Sequence, residues 1–218
     1  MKYSIWRYFL LLIVSVLLIT PTRAQRHQGN IVRVEAGPSL LDLEVLNQSL
    51  NTRFFETLPQ TFFAVGLSAE HFQNRLVFGG QIYNFMLGRS AQISPRALLG
   101  FQHIQLQAGF VAARGENWTL YPTVGAGGGM ATFKAFLQNQ QAPEVTREFG
   151  LLGHAALHFR HRMELDEKYI YELGISGGYT RTLTGAWTLD QFAADLDGIP
   201  MSPEGLFFRV SIGMGSWK

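Results

Sequence analysis

The chain has 218 residues, 16% of them charged, with 23 glycines and no cysteine. That charge content is well below the usual quarter, and the length suits one sizeable domain. The missing cysteine excludes disulfides, thiolate metal sites, a cysteine nucleophile and a lipid-modified N-terminal cysteine.

The N-terminus reads as a secretory signal peptide. Lys2 and Arg7 flank the start, Tyr8 to Ile19 is apolar, and Thr22-Arg23-Ala24 offers a small-x-small cleavage site before Gln25. The expected division is residues 1–24 as a removed leader and 25–218 as a single barrel domain. Removing the leader takes away Lys2, Arg7 and Arg23 and no acid, so the formal charge falls from +2 to about −1. The basic balance belongs to the leader and predicts no nucleic-acid partner.

The remaining chain breaks into eight segments of period-two alternation. The first runs over Ile31 to Gly37, with Val32, Val34 and Ala36 against Arg33 and Glu35. The second, Thr61 to Glu70, sets Phe63, Val65, Leu67 and Ala69 against Ala64, Gly66, Ser68 and Glu70. The third covers Arg75 to Tyr83. In the fourth, Arg96 to Val111, Ile104, Leu106, Ala108 and Phe110 oppose His103, Gln105, Gln107 and Gly109.

The fifth segment, Trp118 to Lys134, is the one the others are organised around. Leu120, Pro122, Val124, Ala126 and Met130 share one face. Tyr121, Thr123, Gly125, Gly127, Gly129 and Ala131 share the other. So much glycine weakens an isolated strand, but it suits a curved one whose small-residue face leaves room for large side chains from across a barrel. The sixth segment is Phe149 to Arg162, with His154, His158, Arg160 and Arg162 on its polar face. The seventh is Tyr169 to Thr182, with Glu172, Gly174, Ser176 and Thr180. The eighth is Leu206 to Trp217, with Arg209, Ser211, Gly213 and Gly215.

Connections alternate in length. His71–Asn74, Ala112–Asn117 and Met163–Lys168 are short; Pro38–Gln60, Asn84–Pro95, Ala135–Glu148 and Leu183–Gly205 are long. Even strand number, segments near ten residues and turns short at one end only predict an all-β fold: an eight-stranded antiparallel up-and-down transmembrane β-barrel. Closure also removes the strand edges that lipid cannot satisfy.

With the leader, eight strands, short–long alternation and terminal aromatic Trp217, the chain resembles small outer-membrane barrels of the OmpA or OmpX type. The segment L-Y-P-T-V-G-A-G-G-G at Leu120–Gly129 is similar to a glycine-rich strand of uncharacterised members of that class. The resemblance implies an outer-membrane address, contact with outer-membrane lipid, and Trp217 as the signal read by the barrel assembly machinery. Lys218 follows Trp217, a departure from the usual aromatic end. The soluble alternative is a lipocalin-like binding barrel. The polar faces here hold Gly, Ser, Thr, Gln and His with isolated charges rather than the Lys, Glu and Asp of a solvated face, which favours the membrane form.

Inward charges need partners, because a lone buried charge is costly. Sequence spacing proposes Arg160 with Glu172 across a hairpin, Arg33 with Glu70, and Arg209 with Glu35. With His154 and His158 these form an expected interior network. It reads as a plug that fixes the barrel shape; a polar path for a small solute is the alternative. His154 and His158 lie about 13 Å apart along a strand and cannot share an ion, so no metal or cofactor is expected. Ser176 and Ser211 are single inward hydroxyls with no evident base, so no catalytic residue is assigned and a lipid A-modifying enzyme is the least favoured reading. In the first long loop, Ser39 is placed to cap a helix through Leu50, with Leu40, Leu43, Leu46, Leu50 and Phe54 at helical spacing. A second amphipathic segment spans Trp187 to Leu196. Loops 38–60 and 183–205 are therefore the candidate surfaces for a partner outside the cell.

Overall fold

A computed structural model describes residues 28–52, 55–89, 96–136, 143–165, 169–184, 188–189, 199–200 and 203–217. The expected leader, and the helical segment expected within 187–196, lie outside these residues apart from Thr188 and Leu189. In chain order the elements are β1 (Gln28–Leu41), α1 (Glu44–Asn51), β2 (Thr61–Gln73), β3 (Leu76–Arg89), β4 (Arg96–Phe110), β5 (Ala113–Arg114), β6 (Trp118–Phe136), β7 (Glu144–Glu164), β8 (Tyr169–Thr182), β9 (Thr188–Leu189), β10 (Ile199–Pro200) and β11 (Gly205–Trp217).

Eight long strands close into one antiparallel barrel. Each pairs with its sequence neighbour, and β1 pairs with β11 from Gly29↔Trp217 to Leu41↔Gly205. The two-residue β5 adds a short rung beside β6, and β9 pairs with β10 above the barrel. The tight β2–β3 turn uses Asn74 at φ 59°, a left-handed position that asparagine tolerates better than most residues.

The eight alternating segments are all strands, and most run longer than their pattern suggests. β7 begins at Glu144 rather than Phe149, because residues 144–148 pair with β6. Hydrogen bonding to one neighbour extends a strand past the point where two-sided burial writes an alternating sequence. β1 continues through Ser39 to Leu41 because β2 and β11 pair with it on both sides, so Ser39 is a strand residue and not a helix cap. Helix α1 starts at Glu44, with Leu43 in the cap position and no side-chain cap.

The direction of the faces is unambiguous. Val32, Val34, Phe63, Leu67, Ile82, Ile104, Val124, Leu157, Leu173, Val210 and Ile212 are exposed, with Leu106 at 74%. Arg33, Glu35, Glu70, Arg160, Glu172 and Arg209 are all 3% exposed or less. The interior has three layers. At the short-turn end Ile31, Phe72, Val77, Val111, Tyr121 and Ile170 form an apolar floor packed on Trp217. The charged layer lies above it. At the long-loop end Phe62, Leu99, Phe101, Phe133 and Leu152 meet Leu43, Leu46 and Leu50 of the α1 segment in a second apolar cluster. Asn47 holds the returning loop by two bonds, its Nδ2 to the Leu58 carbonyl at 2.9 Å and the Leu58 N–H to its Oδ1 at 2.7 Å.

Candidate functional site: the charged layer of the lumen

The layer is built where inward side chains of all eight long strands converge. Arg33 on β1 is its centre. Its Nη1 lies 2.7 Å from Glu70 Oε2 on β2, and its Nε donates to Glu172 Oε1 on β8 at 2.6 Å. Arg160 on β7 donates from Nη1 to Ser211 Oγ at 2.6 Å and from Nε to the Tyr121 hydroxyl at 3.2 Å, and its Nη2 lies 3.5 Å from Glu35 Oε1. Tyr121 donates to Glu70 Oε2 at 2.6 Å, and Gln107 donates to the other oxygen of Glu70 at 2.8 Å. Glu35 also accepts from Ser68 at 2.6 Å and from the Tyr83 hydroxyl. Glu35 and Glu70 are thus met on both oxygens by charged or neutral donors, the condition under which buried ions are tolerated, whereas Glu172 Oε2 has an arginine at 3.5 Å and no hydrogen bond among the described residues.

The histidines belong to this network as hydrogen-bonding groups. Arg160 Nη2 sits 2.9 Å from His158 Nδ1, and a guanidinium only donates, so Nδ1 accepts and Nε2 carries the proton toward Thr123 Oγ1 at 2.9 Å. Gln107, oriented by Glu70, turns its carbonyl to His154 Nε2 at 3.1 Å. Among the described residues no three His, Cys, Asp or Glu side chains cluster as a metal site would require.

Of the sequence pairings, Arg209–Glu35 changes partner, and Arg160–Glu172 survives only as a long, off-register ion pair. Arg160 does not face Glu172: the β7–β8 register sets Arg162 opposite Glu172 and Arg160 opposite Gly174. The Arg160–Glu172 separation is 3.8 Å, whereas Arg33 lies at 2.6 Å, so Arg33 is the closer partner of Glu172. Arg209 reaches Ser39 Oγ at 2.6 Å and lies over the Tyr83 ring at 5.3 Å, while Glu35 stands opposite Ser211. Arg33 and Glu70 do pair, as a diagonal contact.

The glycine stripe also works differently from expectation. A Cβ on Gly127 would fall 1.9 Å from the Ile104 carbonyl oxygen, and one on Gly129 would lie 3.0 Å from His103 Cβ. One on Gly125 would fall 2.2 Å from the His154 ring. The stripe admits the neighbouring strands β4 and β7, not side chains from across the lumen. Room for the large charged groups comes from other inward glycines that face them in register. Gly213 stands opposite Arg33, Gly174 opposite Arg160, and Gly79 opposite Glu70.

Sequence reading also missed a serine–histidine juxtaposition. Gly174–Gly178 spells G-I-S-G-G, and the register sets Ser176 directly opposite His158. The string lies in the middle of a strand, not at the strand-to-helix turn that makes a nucleophile elbow. Both ring nitrogens of His158 are engaged by Thr123 and Arg160, and Ser176 is 2% exposed with no hydrogen-bond partner for its Oγ among the described residues. The pair lacks the nucleophile–base hydrogen bond that activation needs.

Aliphatic rows outside, charges paired inside and no open edge among the eight long strands define the class of protein: an eight-stranded antiparallel β-barrel of the transmembrane kind. Similar solved structures include Ail, the attachment invasion locus protein of Yersinia pestis, at 16% identity and TM-score 0.45, covering 89% of this chain and 100% of that one. Neisserial surface protein A aligns at 10% identity and TM-score 0.43, over 87% of this chain and 96% of that one. The N-terminal β-barrel domain of Pseudomonas aeruginosa OprF aligns at 8% and 0.39, over 89% and 100%. At these identities and scores none of them assigns a role to this chain. No family model and no curated protein matches it.

Proposed function

We propose that the chain is an integral outer-membrane barrel whose role is structural or one of surface interaction, with a plugged lumen and no catalysis. The observation that carries this reading is the inversion of a soluble fold: exposed aliphatic rows around an interior of ion pairs. The leader 1–24 directs export, the assembly machinery reads the end of β11 at Trp217, and lipid covers the aliphatic belt. Loops 38–60 and 183–205 offer the outward surface for a partner. Apolar clusters back the charged layer at both ends, which supports a plugged lumen in which the charged layer holds the strands in register.

Two measurements on the membrane-extracted protein test this. A closed barrel should migrate faster on gels before boiling than after it, and the protein should sediment with the outer-membrane fraction. In planar bilayers it should show no steady single-channel current. Recovery in the soluble periplasmic fraction would remove the membrane address, and a steady open current would replace the plug by a solute pore.

A further inference from the structure

We propose that the short-turn end of the barrel is a binding site for a small oxyanion, a phosphate or a carboxylate, formed by Arg162, Arg114 and Trp217. The argument begins with a charge imbalance. Among the described residues the buried ions are four arginines, Arg33, Arg160, Arg162 and Arg209, and three glutamates, Glu35, Glu70 and Glu172. Glu172 serves three of those arginines: Arg33 at 2.6 Å, Arg162 at 3.5 Å and Arg160 at 3.8 Å. Arg162 is the one of the three nearest the short-turn end and the least compensated.

Arg162 is nevertheless held, not loose. Its side chain is 8% exposed, its guanidinium carbon sits 3.6 Å over the Trp217 ring, and its backbone N–H donates to the Asn117 carbonyl at 2.7 Å. Stacking fixes the plane and leaves the N–H edges to point past the indole. Arg162 Nη2 has no hydrogen-bond partner among the described residues. Arg114 approaches the same indole, 5.5 Å from its centroid, through β5. Its Nη2 makes a long 3.4 Å contact with the Asn74 carbonyl, and its Nε has no partner. Partial burial, with the Arg75 guanidinium beside it, pulls Arg114 below its ordinary pKa. Directly across the β5–β6 rung from Arg114 lies Thr119, fully buried, whose hydroxyl also lacks a partner. Among the described residues the acids of this rim are Glu116 and Glu164; both are exposed, and neither is ion-paired to Arg114 or Arg162. Two guanidiniums ordered by one indole, each with an unspent donor, and a hydroxyl beside them are the donor set an oxyanion takes.

Trp217 supplies the readout. In a chain starting at Gln25 with Trp118→Phe and Trp187→Phe, it is the sole tryptophan. Its fluorescence should change saturably on titration with inorganic phosphate in zwitterionic detergent, with chloride at equal ionic strength without effect. Arg162→Gln and Arg114→Gln should each raise the midpoint at least tenfold while gel mobility still reports a folded barrel. A response to lysophosphatidylglycerol but not to inorganic phosphate would assign the same site to a lipid headgroup. No saturable response to either, an equal response to chloride, or an unchanged midpoint in both variants would overturn the proposal.

Discussion

The charged mid-barrel layer and the apolar lumen beneath α1 are both full, but different physics fills them. In the middle, Arg33, Arg160, Glu35, Glu70 and Glu172 are joined by directional bonds, and removing one member strands the others. Above, Leu46 and Leu50 lie among Phe62, Phe101 and Phe133, where contacts are non-directional and a missing methyl group leaves a gap that neighbours close in part. A membrane barrel cannot rely on the hydrophobic effect across its outer surface, since lipid is as apolar as its aliphatic belt. On the reading proposed above, the charged layer carries strand register and the upper cluster carries closure of the mouth.

The largest expected effect breaks the middle at its hub. Arg33→Met removes the nearest cation from both Glu70 and Glu172 and should cost about 3–5 kcal/mol, read as a shift of the urea midpoint of gel mobility. Arg160→Met should cost less, because Glu172 keeps Arg33 and because Glu35, whose pair with Arg160 is long at 3.5 Å, keeps its bonds from Ser68 and Tyr83; an equal loss would mean that the two arginines are equivalent. In the upper lumen Leu50→Ala should cost about 2–3 kcal/mol, near the lower end for a buried leucine, because α1 can settle toward the gap. A cost as large as that of Arg33→Met would erase the distinction between the layers. Gly213→Val sharpens it from the other side. A Cβ there would meet Arg33 Cγ at 2.6 Å and the Val32 carbonyl oxygen at 2.8 Å, so the variant should lose about 1–3 kcal/mol by overpacking, with the part due to Arg33 recovered when Arg33→Ala removes that Cγ and the backbone part retained.

These glycines mark where the sequence was legible and where it was not. Alternation is a local property, so strand number, facing and the choice of inward charges could be read from Arg33, Glu70 or Arg160 alone. Pairing is a property of two strands at once. Counting four residues either side of a turn placed Arg160 against Glu172, yet a shift of two residues in the turn sets Arg162 there, and parity survives the error. Register also decides what each glycine is for. Gly213, Gly174 and Gly79 accept the charged side chains, and nothing in their own segments distinguishes them from the Gly125–Gly129 stripe, which accepts strand backbone and a histidine ring. Helix α1 was legible from its leucine spacing, but its start was not, because the β1–β11 ladder carries the strand through the capping serine.

The smallest predicted effect tests whether the two regions are separate at all. Tyr83 belongs to both: its ring is part of the upper apolar cluster, and its hydroxyl donates to Glu35 in the charged layer. Tyr83→Phe keeps the ring and removes one of the donors on Glu35, leaving Ser68 and Arg160, and should cost about 1–2 kcal/mol. The cycle with Leu50→Ala then measures what passes through the ring. If apolar packing adapts freely, the two losses add to within about 0.5 kcal/mol. A larger coupling would mean that α1 positions the Tyr83 hydroxyl, so that a change at the outer mouth reaches the ion pairs that hold the strands in register.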